Sequence, residues 1–404
     1  MQLKTFLKAG HPPTLFSAFL YFDMSFMVWV ILGPLGLFIA RDFGISPAQK
    51  GFMVAIPVLS GAVFRFFMGL LVDRIGAKRS GQIGQLIVMG ALAWAYFHGL
   101  SSLPQVYALG IFLGVAGASF AVALPLASRW YPPEAQGLAL GIAGAGNSGT
   151  VFSALFGPLL ATHYGWNTVL GLVLIPLVIT FITYSILAKD SPDTPPPKRL
   201  AQYFAVLRDV DTWWFMFFYL VTFGGFVGLS SSLVIYFNSQ FHVNPITAGY
   251  LTSGCVLAGS LFRPVGGRLA DRVGGIRSLQ FMYALLSLGM LGVVLASGSL
   301  VLSMFSFILS MMCLGMGNGS VFQLIPQRFR GEIGVLTGLV GMAGGVGGFY
   351  LATSLGLSKQ WTGEYRMGFL IFAGMGLIAL LGLWSVKKRW RSTWGSPLVT
   401  AAKV

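Results

Sequence analysis

Residues Phe64-Arg65-Phe66-Phe67-Met68-Gly69-Leu70-Leu71-Val72-Asp73-Arg74-Ile75-Gly76-Ala77-Lys78-Arg79 return 198 positions later as Phe262-Arg263-Pro264-Val265-Gly266-Gly267-Arg268-Leu269-Ala270-Asp271-Arg272-Val273-Gly274-Gly275-Ile276-Arg277. Phe64, Arg65, Gly69, Asp73, Arg74, Gly76 and Arg79 all match at that offset, and Gly137, Gly141 and Gly144 recur at offset 197 as Gly334, Gly338 and Gly341. Each copy begins inside a long apolar run and ends in a short charged loop. Duplicated halves of apolar spans are the mark of a carrier that rocks about a midplane site.

Working outward, the whole chain of 404 residues is 55% hydrophobic and only 9% charged, with a mean hydropathy of +0.78. That composition is an integral membrane protein, not a soluble domain. Runs of about 20 apolar residues predict twelve spans: 16–40, 51–72, 81–100, 104–128, 137–161, 167–188, 213–237, 247–270, 278–297, 300–325, 333–357 and 367–386. The polar, proline-rich stretch around Pro195-Pro196-Pro197 cannot span a bilayer and reads as a linker. The expected organisation is a six-helix bundle over 1–188, a cytoplasmic linker over 189–210 and a second six-helix bundle over 211–404. The fold class is all-α, twelve transmembrane helices in two pseudo-symmetric bundles.

The net charge of +15 does not imply nucleic acid. Placing both termini on the cytoplasmic side puts twenty of the Lys and Arg residues there. Only Arg41, Lys50, Lys359 and Arg366 fall on the opposite face, and the last two cations are Arg65 and Arg263. Topology and anionic lipid account for the excess. The expected location is a bacterial-type cytoplasmic membrane, crossed many times by a monomer. Cys255 and Cys313 both fall in spans, so neither a disulfide nor a metal is suggested, and no cofactor fingerprint or catalytic constellation is seen.

Arg65 and Arg263 each precede the loop Asp by eight residues, which sets both about 12 Å inside the loop level at about 1.5 Å per helical residue. A guanidinium in hydrocarbon costs about 2.5–3.5 kcal/mol on insertion scales, so it is kept where it faces a cavity or an anion. Of the eleven acidic residues only Asp23 lies in a predicted span. Two fixed cations therefore outnumber one internal anion, and the planar donor fork of Arg suits a flat oxyanion.

The loop motif resembles the signature of the major facilitator superfamily. Span five carries Gly141-Ile142-Ala143-Gly144-Ala145-Gly146-Asn147-Ser148-Gly149-Thr150, and span eleven carries Gly338-Leu339-Val340-Gly341-Met342-Ala343-Gly344-Gly345-Val346-Gly347-Gly348. Close helix packing explains such glycine runs, while a buried amide such as Asn147 can also meet a substrate. With the paired arginines and the opening Tyr21-Phe22-Asp23-Met24-Ser25-Phe26-Met27-Val28-Trp29-Val30, these stretches resemble the nitrate/nitrite porter family of that superfamily, along essentially the whole chain. The resemblance implies alternating access for nitrate or nitrite, with Arg65 and Arg263 clamping the anion. It carries substrate contact over to Tyr219 and Phe223 of span seven, to Phe120 of span four, and to Asn147, Gly144 and Gly344 of the glycine-rich spans. Asn318, in Gly317-Asn318-Gly319, is a further candidate cavity amide or packing residue.

Importing nitrate against a negative interior costs about 2.3 kcal/mol per 100 mV, so accumulation needs coupling. Uptake with protons and exchange for outgoing nitrite are both open. Asp23 is the candidate proton carrier, with a structural Asp as the alternative; the Asp23-containing opening and the chain's length resemble the family's proton-linked importers. The expected partners are thus nitrate or nitrite, protons and lipid. Nitrate/nitrite exchange, or carriage of another small monovalent anion, stands as the alternative.

Overall fold

The computed structural model describes residues 3–192, 205–329 and 333–393. Most of the expected linker, 193–204, lies outside the described residues. After a short helix, Leu3–Lys8, the chain forms twelve long helical segments: α1 (Pro12–Phe43), α2 (Pro47–Ile75), α3 (Ala77–His98), α4 (Leu103–Ser128), α5 (Pro133–Gly144, a 3-10 turn Ala145–Ser148, then Gly149–Tyr164), α6 (Trp166–Leu187), α7 (Val210–Phe241), α8 (Pro245–Val273), α9 (Gly275–Leu295), α10 (Leu300–Arg328), α11 (Ile333–Thr362) and α12 (Arg366–Thr393). No strand occurs among the described residues.

Eleven of these contain a stretch long and apolar enough to cross a membrane. The exception is α3, expected as span 81–100. It is a 22-residue helix, but Lys78, Arg79, Gln82 and Gln85 make it too polar to qualify on composition. With it the helices number twelve, six in each pseudo-symmetric bundle.

The same local devices start and stop equivalent helices in both halves. Ser46 caps α2 by accepting from the Gln49 N–H, with Pro47 next; Asn244 caps α8 by accepting from the Thr247 N–H, with Pro245 next. Each polar cap satisfies an otherwise free N–H, and each proline sits where no intrahelical donor is needed. The turns into α3 and α9 pass through Gly76 (φ 88°) and Gly274 (φ 98°), a region that a side chain would strain. At Gly76 a Cβ would also meet the carboxylate of Asp190 at 2.6 Å. That carboxylate accepts from the N–H groups of Ala77 (2.8 Å) and Lys78 (3.0 Å) and so caps α3.

Four expected spans are not continuous helices, α6 being interrupted at Val173. α1 breaks at Val30–Ile31, α4 at Ala118–Ser119 and α5 at its 3-10 turn. In α4 the Ala121 N–H bonds to Ala118 O instead of Gly117 O, leaving the Gly117 carbonyl free. Backbone groups released inside a membrane need a new partner, and this one finds a guanidinium.

The halves meet through α2 against α11 and α5 against α8. Glycine makes this approach possible. A Cβ on Gly51 would lie 2.8 Å from the Cα of Gly356, and one on Gly345 would lie 2.7 Å from Ala62 Cβ. Ala48 N–H donates across the same seam to Gln360 Oε1 at 3.0 Å. The Gly51 and Ala48 contacts lie toward the end holding the α1–α2 turn, and the Gly345–Ala62 contact lies midway along α2. Toward the end that carries both termini, a Cβ on Gly69, Gly141, Gly267 or Gly338 would meet nothing within 4 Å. The described contacts that join the halves fall at mid-depth or toward the α1–α2 turn.

Candidate functional site

Arg65 sits midway along α2 and is 1% exposed. Its Nε donates to the freed carbonyl of Gly117 at 3.0 Å, and Nη1 donates across the seam to Gly341 O. Three rings surround the guanidinium: Trp29 at 5.0 Å, Phe120 at 5.6 Å and Phe223 at 4.9 Å from the ring centroids. Each such contact contributes about 0.5–2 kcal/mol to holding the cation away from water. Nη2 is buried without a hydrogen-bond partner.

Arg263 of α8 is only half-buried, and its Nη1 is likewise buried without a partner. Gly144 of the opposite half lies against it, a Cβ there falling 3.9 Å from Arg263 Cζ. Gly341 is placed in the same way against Arg65, 3.7 Å from its Cδ. Each glycine-rich helix thus shapes the space beside the other half's arginine. A larger side chain on either helix would intrude on the guanidinium.

Tyr219 and Phe223, four residues apart on α7, stack at 5.0 Å with planes 7° apart. Both are fully buried, and both press on Gly344, where a Cβ would come within 2.8 Å of each ring. Tyr219 lies in the electrostatic field of both arginines, and the two guanidiniums repel one another. Its hydroxyl is directed at the Arg263 guanidinium but falls outside hydrogen-bond geometry. Among the described residues no carboxylate pairs with Arg65 or Arg263.

The sequence-predicted residues Arg65, Arg263, Tyr219, Phe223, Phe120, Gly144 and Gly344 are therefore brought together at one level. Asn147, 1% exposed with an unpaired Oδ1, lies on the α5 turn. Asp23 stands apart from the arginines. Its carboxylate faces that same turn, with Ser148 Oγ 2.6 Å from Oδ1 and the Gly149 backbone N–H against it. Ser148 Oγ is also 2.8 Å from Ala145 O, and a hydroxyl has a single hydrogen to give.

Sequence reasoning passed over Trp29, whose Nε1 is tied to Pro57 O at 2.7 Å while its ring lies on Arg65. It also missed Phe322, which stands edge-on to Tyr219 (5.0 Å, 89°) and bridges the halves to Phe120 at 5.9 Å. Phe322 lies four residues beyond Asn318, so the helical repeat from that amide was the available signal.

A family model described as Major Facilitator Superfamily matches residues 15–352. The chain is 32% identical over 362 residues to a protein of Bacillus subtilis named nitrite extrusion protein, covering 89% of this chain and 91% of that one. It is 33% identical over 361 residues to a probable nitrate/nitrite transporter of Mycobacterium tuberculosis, covering 88% and 91%. Among solved structures it is similar to a D-xylose-proton symporter, with TM-score 0.76 at 14% identity over 92% of this chain and 97% of the other, a likeness of fold alone.

Proposed function

Because the chain belongs to the Major Facilitator Superfamily, and within it to the nitrate/nitrite porters, we propose that it carries nitrate, and with it nitrite, into the cell by alternating access. The observation that carries this reading is the pair of guanidiniums with unpaired, buried N–H groups, Arg65 Nη2 and Arg263 Nη1, uncompensated by any carboxylate among the described residues. An orphaned charged donor in a dry site is costly unless a ligand completes it. A flat monovalent oxyanion fits: its edge oxygens accept from the two forks while its faces lie against the rings of Phe120 and Phe223. A tetrahedral dianion would be too thick for that slot and would have more hydration to shed.

Arg263 is the less buried of the two arginines, and the distribution of Lys and Arg assigns the end that carries both termini to the cytoplasm. Coupling to protons is supported by the Asp23 arrangement. With Asp23 ionised, the Ser148 hydrogen goes to the carboxylate. With Asp23 protonated, the acid donates to Ser148 Oγ, and the Ser148 hydrogen turns to Ala145 O. Both states leave every group satisfied, as a proton carrier at a helix break requires. Exchange for nitrite is the second reading, favoured by the name of the Bacillus relative.

The test uses purified protein in proteoliposomes, with labelled nitrate uptake and external pH followed together. Nitrate-dependent alkalinisation outside the vesicles, lost in Asp23→Asn while counterflow persists, is the expected result. Undiminished alkalinisation in that variant removes Asp23 from the coupling, and absence of saturable nitrate counterflow in the wild type removes the function.

A further inference from the structure

Asn318 of α10 is 0% exposed, and neither its Nδ2 nor its Oδ1 has a hydrogen-bond partner. An anion needs donors. Asn147 also has an Nδ2 with no described hydrogen bond, but of the two amides it is Asn318 whose unpaired donor is fully buried.

Its neighbours on α10 set it beside the anion site. Asn318 lies four residues before Phe322, so the two share a helix face. Phe322 touches both Tyr219 and Phe120. The flanking glycine, Gly319, is pressed onto α8 at Arg263 itself, where a Cβ would meet the Arg263 carbonyl and the Gly267 N, and Ser320 Oγ donates to Gly266 O at 3.2 Å.

On the footing of the nitrate reading above, we propose that Asn318 is a specificity-determining residue whose Nδ2 donates to the third oxygen of bound nitrate. The two forks engage two oxygens, and Tyr219, lying in the field of both arginines, serves the oxygens they hold. Nitrite has no third oxygen. The amide therefore favours nitrate over nitrite, which two arginines and an aromatic slot by themselves cannot do.

The experiment measures binding of nitrate and nitrite separately, by calorimetry on the full-length protein in detergent, for wild type, Asn318→Ala and Asn318→Ser. Thermal unfolding without anion is followed alongside. A lost hydrogen bond to an ionic partner predicts roughly tenfold weaker nitrate binding in Asn318→Ala, with nitrite within about twofold of wild type. Unfolding temperature without anion should hold or rise, because an orphaned buried amide has been removed. Equal weakening of both anions, or of neither, overturns the proposal, as does a fall in unfolding temperature with nitrate affinity intact. Asn318→Ser, which retains a shorter donor, should fall between the two and supplies the same comparison if Asn318→Ala does not fold. A wild-type protein that binds neither anion refutes the transport reading itself, a result distinct from unchanged variants.

Discussion

Two glycines three residues apart on α11, Gly341 and Gly344, should respond oppositely to the same added methyl. At Gly341 an alanine Cβ would lie 3.6 Å from Phe120 Cε1 and 3.7 Å from Arg65 Cδ, ordinary van der Waals contact. At Gly344 it would lie 2.8 Å from both Tyr219 Cδ1 and Phe223 Cδ1, so the stacked pair must yield by about 1 Å to regain normal contact distance. Neither ring is free to do so. Phe223 is backed by Trp29 at 6.4 Å and Phe26 at 6.4 Å, and Tyr219 by Phe322 at 5.0 Å. Overpacking of this kind costs about 1–3 kcal/mol. Because the displaced rings line the anion site, that cost should appear as roughly 5- to 150-fold weaker nitrate binding in Gly344→Ala, against a change within about threefold in Gly341→Ala. Equilibrium binding to purified variants, with surface-inserted protein quantified in parallel, reads both. If Gly344→Ala binds as tightly as wild type while Gly341→Ala does not, the placement of α11 against the two rings is wrong.

Arg65→Lys and Arg263→Lys should each abolish transport without loss of membrane insertion, since charge is kept but the fork is not; wild-type counterflow by either variant would count against the clamp. For Arg65→Lys the loss includes the brace to Gly117 O, so its unfolding temperature should fall more than that of Arg263→Lys. Asp211→Asn should destabilise the second bundle by about 2 kcal/mol, as charged hydrogen bonds typically do, because Asp211 accepts from Arg328, Arg389 and Trp390 together. The buried thiols of Cys255 and Cys313 serve as reporters, becoming accessible to a thiol-reactive dye on unfolding; an unshifted midpoint would show the cluster to be energetically idle.

The twelve helices were legible because apolar length is a property of the chain itself, and only α3 blurred it, through glutamines that its neighbours tolerate. The breaks were not legible. Gly117-Ala118-Ser119 carries no proline and would continue a helix; what favours the break is a tertiary partner, Arg65, waiting for the Gly117 carbonyl. The two loop motifs look alike in sequence yet diverge in space. Asp73 pairs with Arg129 at the end of α4, at 3.5 Å. The corresponding Arg328 of α10 is drawn instead to Asp209 at 2.6 Å and Asp211 at 2.9 Å, acids at the start of α7 that have no counterpart before α1. Asp271 makes no ion pair among the described residues, so the Asp73–Arg129 contact has no counterpart in the second half.

The same holds for the arginines themselves. Phe64-Arg65 and Phe262-Arg263 are indistinguishable as dipeptides, but Arg65 is braced by two carbonyls and three rings, while Arg263 is only half-buried. That difference belongs to one conformation of two tilted bundles, and a repeat cannot encode it. On the proposed function, an anion meets the less buried fork of Arg263 first; the braced fork of Arg65 lies under Phe120, the ring that meets Phe322 of the other half.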